Sequence, residues 1–312
     1  MSFSQDVKDE LEKQIGQARH CRIAELAVIL LSYGQVNISQ TGIRQLVLSS
    51  EHETIVRKYF TLLKKTFNIK NGVLKTNFST ENAKGVFDCV IEDDLLAETV
   101  LKAVKMWSEE QQSINKSMAV SDVLLKSACC KRAFLRGCFL CAGSMSDPIK
   151  GYHLEYLCTN EEMAKQLLKV IADFGVEAKM VRRKKYYVVY VKEGSSIVEL
   201  LNVMEAHISL MNLENTRILK EIGNHTNRKV NCETANIIKA VNAANKQIAD
   251  IERIRDLKGL DSLALPLREM AEVRLQYPDT PLGELGKFLD PPIGKSGVNH
   301  RLRKLGEIAE KL

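Results

Sequence analysis

No apolar run in this chain approaches the roughly 18–20 residues needed to cross a bilayer, so a membrane-spanning helix is excluded. The opening stretch, MSFSQDVKDELEK, is charged from Asp6 onward and lacks the apolar centre of a secretory signal, so a cytoplasmic location is expected. Eight cysteines are present, yet no second C-x-x-C stands at finger-like spacing from the first. That first pair, Cys138 and Cys141, lies inside a helical apolar pattern, where cysteine serves as a small buried hydrophobe. No metal and no cofactor are therefore expected. What remains is ordinary globular composition: 312 residues, 45% hydrophobic, 27% charged, with a formal net charge of +6. That length is enough for two or three domains with real cores, and the mild basicity suits a protein that meets nucleic acid.

Two missing acids say more. The segment CKRAFLRGCFLCAGSM (Cys130–Met145) is a helical run of small and apolar residues that ends in Gly-Ser. It resembles the helix of LAGLIDADG nucleases, and at the place of the metal-binding acid, beside Gly143, it has Ala142. An earlier segment, CRIAELAVILLSYGQV (Cys21–Val36), has the same shape, and Tyr33 stands there beside Gly34. The two are 109 residues apart (130 − 21 and 143 − 34). Strand cleavage by such a helix pair needs a carboxylate from each to hold divalent metal at the scissile phosphates. Tyr33 and Ala142 cannot supply one. Glu25 lies at the other end of its helix, and Asp147 follows the Gly-Ser end, where it suits a cap or turn. A duplicated DNA-handling scaffold without cutting chemistry is the expectation.

The rest of each repeat agrees. Strand patterns QVNIS and IRQLVLS follow the first apolar helix, and YHLEYLCT follows the second. Amphipathic helices come next: ETIVRKYFTLLKKTF, with Ile55, Tyr59, Leu62, Leu63 and Phe67 on one face, and EEMAKQLLKVIADFG, with Met163, Leu167, Val170 and Ile171 on one face and Gly175 as its stop. GVLKTNFS and KGVFDCVI in one repeat, EAKMVRR and YYVVYV in the other, read as further strands. Helices at Asp94–Met106 and Ser196–Met204 close the repeats, and the polar stretch Ser108–Ser117 links them. The fold class expected is α+β: a duplicated LAGLIDADG-like αββαββα saddle followed by an all-α helix-turn-helix domain. Small residues (Ala24, Ala27, Ala133, Gly137, Ala142) let the two central helices approach closely. The expected domains are 1–107, with an N-terminal helix; 118–212; a helical connector at 213–260; and 261–312.

In the last part, Asn231 is expected to cap a helix whose apolar series is Ala235, Ile238, Val241, Ile248 and Ile251. Leu265–Gln276 and Pro281–Leu289 read as short helices, and a third follows Gly294 with Ser296 as its N-cap. On a helical wheel Val298, Leu302, Leu305, Ala309 and Leu312 form one stripe. Ser296, His300, Arg303 and Lys304 lie opposite, with Lys295 and Asn299 toward one edge, and no acid occurs from Lys295 through Lys304. A recognition helix has this division: one face docks on supporting helices while the other offers donors to bases and phosphates. The DNA-binding set expected is Lys295, Ser296, Asn299, His300, Arg301, Arg303 and Lys304. Arg182, Arg183, Lys184 and Lys185, at the tip of a hairpin, are secondary phosphate contacts.

SFSQDVKDEL, CCKRAFLRGCFLCAGSMSDP, NRKVNCETANIIKAVNAANKQI and LDPPIGKSGVNHRLRKLGEIA together resemble the WhiA family of bacterial regulators over essentially the whole chain. The resemblance implies a degenerate LAGLIDADG-like region, a helix-turn-helix similar to sigma-factor region 4, and a DNA-binding transcriptional regulator that influences cell division, chromosome segregation and sporulation. Cys138 and Cys141 replace the small residues such as Ala expected in the central helix. Double-stranded DNA is the expected partner, with other transcription factors or RNA polymerase beside it, no small-molecule substrate, no membrane, and a nucleoid-associated location. Two alternatives differ in class: a protein-interaction module that keeps the scaffold, and an active homing endonuclease.

Overall fold

A helix that is apolar around its whole circumference is stable only when protein surrounds it. That requirement organises the first of two compact units, Met1–Leu219; the second is Lys220–Leu312. The structure, a computed structural model, describes residues 2–38, 44–70, 73–78, 85–108, 113–114 and 118–312. After helix α1 (Phe3–Lys13), the first repeat runs α2 (Arg19–Tyr33), β1 (Gly34–Ile38), β2 (Arg44–Ser50), α3 (Glu53–Phe67), β3 (Leu74–Asn77), β4 (Phe87–Ile91) and α4 (Asp94–Ala103). Two short paired strands follow, β5 (Trp107–Ser108) and β6 (Ser113–Ile114). The second repeat is α5 (Ala128–Ala142), β7 (Gly143–Met145), β8 (Leu154–Cys158), α6 (Glu161–Ala172), β9 (Lys179–Arg183), β10 (Tyr186–Val191) and α7 (Gly194–Met204). Both antiparallel sheets have the same order, β1-β2-β4-β3 and β7-β8-β10-β9, so the duplication is one of topology.

The central helices α2 and α5 pack along each other. Every residue from Ala24 to Leu30, and from Ala133 to Leu140, is buried. Gly137 sets the closeness of approach: a Cβ there would stand 3.0 Å from Val28 Cβ and 3.3 Å from the Glu25 carbonyl oxygen. The amphipathic helices close over them, with Ile55, Tyr59, Leu62 and Leu63 of α3 and Leu167, Val170 and Ile171 of α6 buried in one continuous core. Helix α1 spans the repeats. It buries Val7 and Leu11, its Ser4 hydroxyl accepts from Met145 N (3.2 Å), and its Glu10 carboxylate accepts from Ile208 N and Ser209 N (2.8 and 2.9 Å). The last two groups lie at the start of α8 (His207–Lys258).

Charge sits inside this core. The Glu25 carboxylate, on α2, has no exposed surface; Lys58 Nζ of α3 lies 2.9 Å from one oxygen and Arg136 Nε of α5 lies 3.6 Å from the other. Lys58 also donates to the carbonyls of Leu11 (2.8 Å) and Gln14, at the end of α1. Arg136 reaches outward to Glu205 at 2.7 Å. Burial pulls the Lys58 ammonium below its ordinary range, and Glu25 opposes that pull. The cluster ties α1, α2, α3 and α5 together.

Several expectations need correction. Both apolar helices end at the residue before glycine, since a Cβ on Gly34 or Gly143 would stand 2.5 Å from Leu30 O or Phe139 Cδ2; there the chain turns into β1 and β7, and β7 has no counterpart in the sequence reading. Asn231 caps nothing. It lies within the 52-residue α8, because one interior glycine, Gly223, costs a helix only about 1 kcal/mol and no proline interrupts it. Of the series expected there, Ile251 is buried, but Ile238 and Val241 are half exposed. Helix α6 is capped by Asp173, and Gly175, with φ +75°, takes the left-handed position two residues further on. Part of the expected 108–117 linker is the β5–β6 pair; 109–112 and 115–117 lie outside the described residues, as do Ser39, Ile43, Gly72, Ser79 and Lys84 of the predicted strands. Among the described residues no helix is long and apolar enough to cross a membrane.

In the second unit the end of α8 supports α9 (Leu265–Gln276), the single turn α10 (Leu282–Leu285), a 3-10 turn at Gly286–Phe288 and α11 (Lys295–Ala309). Ile251 and Ile254 of α8 join Met270, Ala271, Leu285, Leu289 and the α11 stripe in a separate core.

Glu25→Leu is expected to lower stability by about 3–5 kcal/mol in urea unfolding, because two buried cations lose their shared anion. Adding Lys58→Met should restore part of that loss. Equal stability of the wild type and Glu25→Leu would show that the cluster does not hold the repeats.

Candidate nucleic-acid interface

Helix α11 forms because Gly294 ends an extended approach and Lys295–Ala309 then runs without proline. Gly294 is the N-cap, without a side-chain cap bond, so the expected cap Ser296 instead lies exposed in the first turn. Val298, Leu302, Leu305 and Ala309 are buried as the wheel predicts, with Leu312 partly buried against them. The turn before the helix depends on Gly286. Ile293 N donates to the Gly286 carbonyl at 3.0 Å, and a Cβ at Gly286 would run into the Ile293 carbonyl oxygen. Tyr277 stacks on Phe288 with ring centroids 4.3 Å apart, closing the loop between α9 and α10. Arg274, buried to 3% exposure, donates to the Thr280 carbonyl at 2.8 Å from the same side.

This packing brings Lys295, Ser296, Asn299, His300, Arg303 and Lys304 to solvent on one element. They are not equivalent. Asn299 and Arg303 line a shallow groove with Lys246, Gln247 and Asp250 of α8. Arg303 also pairs with Glu307 at 3.2 Å, while its side chain stays 76% exposed. Arg301 differs from the others: its guanidinium donates to the Pro266 carbonyl at 3.2 Å and anchors α11 to the start of α9. Lys295, Ser296, His300 and Lys304 are exposed and do not line that groove.

The second candidate surface is in the first unit. Strands β9 and β10 pair with Arg183 opposite Tyr186, leaving Lys184-Lys185 as a two-residue turn with Lys184 at φ +53°. Arg182, Arg183, Lys184 and Lys185 are all exposed, and so is the whole of edge strand β9. Two cations lie over the following aromatics, Arg182 over Tyr187 at 5.7 Å and Lys185 over Tyr186 at 5.3 Å. Such stacking rests each charged group on a ring face, while both residues stay exposed.

Tyr33 and Ala142 lie together beside one cavity. Tyr33 and Ala142 end α2 and α5, and the Tyr33 hydroxyl donates to the Cys141 carbonyl at 2.9 Å. Burial pushes the Tyr33 phenol up to about 12, so it stays a neutral donor at physiological pH. Burial likewise holds Cys141 at about 12, an inert thiol. A cavity of about 460 Å³ opens beside them, lined by Ser32, Tyr156, Asn160 and Met163 among others. Glu25 lies in the middle of α2 rather than at its other end as expected, and is engaged by Lys58; Asp147 accepts from Ile149 N (2.9 Å) in a local turn. The Tyr33–Cys141 bond and the Glu25 cluster are the features that sequence reading missed. An acid inside an apolar helical run was the available signal for the second; nothing in the sequence signals the first.

These elements define a helix-turn-helix protein built on a duplicated LAGLIDADG-like scaffold whose two central helices end in Tyr33 and Ala142. Three family models match the chain: the WhiA N-terminal LAGLIDADG-like domain over residues 19–107, the WhiA LAGLIDADG-like domain over 131–223, and the WhiA C-terminal HTH domain over 226–309. The probable cell division protein WhiA of Lachnoclostridium phytofermentans is 52% identical over 100% of this chain and 99% of its own. That of Thermoanaerobacter pseudethanolicus is 42% identical over 100% and 98%. The crystal structure of full-length DUF199/WhiA from Thermatoga maritima has the same fold, with a TM-score of 0.57, 25% identity, and coverage of 100% of this chain and 99% of that one. The chain belongs to the WhiA family.

Gly286→Ala is expected to destabilise the second unit by about 3 kcal/mol or more, since the new methyl meets backbone rather than a yielding side chain. The check is the thermal transition of that unit in the full chain. An unshifted transition would mean that the turn tolerates a side chain.

Proposed function

We propose that this chain is a sequence-specific, non-catalytic DNA-binding transcriptional regulator that influences cell division, chromosome segregation and, in a sporulating host, sporulation. The observation that carries the reading is the division of α11. One face is buried in the second core, and Lys295, Ser296, Asn299, His300, Arg303 and Lys304 are exposed without an acid among them. An exposed Asn can pair with adenine and an Arg with guanine, while Lys and Ser meet phosphate. The name of the curated relatives, probable cell division protein, supports the cellular setting. We take residues 1–107 and 118–212 as the two halves of the scaffold, 213–260 as the connector and 261–312 as the reading domain, acting at the nucleoid. RNA polymerase or other regulators then meet the DNA-bound chain. Arg301 belongs to the docking of α11 rather than to base reading, given its bond to Pro266.

The first test is a salt-dependent gel shift with a cognate operator selected from random duplexes. Arg303→Ala and Asn299→Ala should each weaken specific binding by about 1–3 kcal/mol. Lys304→Ala should weaken all sequences alike. Unchanged operator affinity in both Arg303→Ala and Asn299→Ala would sink the assignment of α11 as the reading helix.

The hairpin tip has a different readout. Replacing Arg182, Arg183, Lys184 and Lys185 with Ala in the full chain should flatten the salt dependence of non-specific binding, by about 0.9 in slope for each phosphate that the variant no longer neutralises. An identical slope would make the tip ordinary surface.

Catalysis is the third. Neither Tyr33 nor Ala142 offers a carboxylate, so no ion is held to stabilise the leaving oxygen or generate hydroxide. A nuclease-free preparation should leave supercoiled plasmid intact in Mg²⁺ or Mn²⁺. Metal-dependent nicking that copurifies with the chain through every step would overturn the reading.

A further inference from the structure

At the end of the central helix pair opposite Tyr33 and Ala142, four side chains converge. His20 and Cys21 stand in the first turn of α2, and Cys129 and Cys130 in the first turn of α5. Their ligand atoms all lie within 4.8 Å of one another. Around His20 Nδ1 the sulfurs of Cys130, Cys21 and Cys129 stand at 3.1, 3.5 and 4.0 Å. A tetrahedral zinc ion with the usual bond lengths separates nitrogen from sulfur by about 3.6 Å and sulfur from sulfur by about 3.8 Å. The nitrogen–sulfur distances of 3.1–4.0 Å bracket the first value and the 4.8 Å bound admits the second, so a metal can enter with small side-chain adjustments.

We propose that His20, Cys21, Cys129 and Cys130 bind one zinc ion, in a site of one histidine and three cysteines that staples the two repeats together. Four observations support this. The donor set is soft and of structural-zinc type, one imidazole and three thiols. The two pairs occupy equivalent places in the duplication, since His20 and Cys129, like Cys21 and Cys130, are 109 residues apart. Each repeat therefore contributes two adjacent ligands across the pseudo-twofold. Cys21 and Cys130 are buried while His20 and Cys129 are exposed, which leaves a path for the ion and closes the rest of its shell. Both pairs stand in the first turn of their helices, where the free N–H groups set positive potential beside the donor atoms.

Without metal, three thiols crowd one imidazole with no cation to match them. On binding zinc, each thiol gives its proton to solvent as its sulfur bonds the ion, and His20 supplies a lone pair from its neutral ring. No oxidant or reductant takes part. Sequence spacing does not announce the site, because its ligands are two neighbouring pairs far apart in the chain rather than a C-x-x-C.

The test uses the full chain, purified under reducing conditions without chelator, with zinc measured by elemental analysis. One equivalent per chain is expected. Cobalt(II) should replace it and give the visible bands of a tetrahedral thiolate-rich site. Cys129→Ser and His20→Ala alter exposed side chains, so both should stay folded by circular dichroism. Each should weaken zinc binding by at least about 100-fold, as loss of a direct ligand exceeds loss of an outer-shell partner. Cys141→Ser, outside the cluster, should keep its zinc. Chelation should lower the melting temperature of the wild type but not of the two ligand variants. Zinc far below one equivalent, zinc retained by the folded ligand variants, or a disulfide joining α2 to α5 in the freshly purified chain would each overturn the proposal.

Discussion

A single carboxylate without water around it, that of Glu25, fixes how the first unit is assembled. An isolated buried charge is untenable, so Glu25 must keep Lys58 and Arg136 close, and Lys58 must find further acceptors at the end of α1. Those demands come from four helices at once. Apolar packing between α2 and α5 is tolerant of small shifts along the helix axis. The ion cluster is not, since sliding one helix by a turn would strand a charge. Hydrophobic contact supplies the driving force, and Glu25 supplies the register.

The two ends of the helix pair complement this centre. At one end the Tyr33 hydroxyl closes onto the Cys141 carbonyl, and at the other four metal-type ligands meet. Gly137 sets the spacing between them by admitting Val28 and the Glu25 backbone. The second unit follows a simpler plan. One buried stripe on α11 and one glycine in the preceding turn decide which of its residues face outward. The scaffold and α11 are thus specified by different physics, polar interlock in the first and patterning in the second.

What was legible in the sequence follows from that difference. Period-3.6 patterning identified α3, α6 and α11 with their buried faces, because each has one wet side. The repeat was visible in the 109-residue spacing of Gly34 and Gly143. Strand β7 was not, since a three-residue strand that continues a helix has too few residues to show alternation. The helix start expected at Asn231 failed because a cap residue begins a helix only when the backbone before it is non-helical, and here it is not. Glu25 looked like a misplaced acid within an apolar run; its partners come from Lys58 and Arg136, which no local window contains. The hydrogen bond of Arg301 was likewise invisible, since its acceptor belongs to Pro266 on another helix.

The Tyr33–Cys141 hydrogen bond limits what else can stand at this end of the helix pair. The phenol satisfies a carbonyl at the end of the opposite helix. An aspartate at that place would set a negative group against that carbonyl and leave it without a donor. Any acid introduced there would therefore cost the helix pair a contact before it could hold an ion.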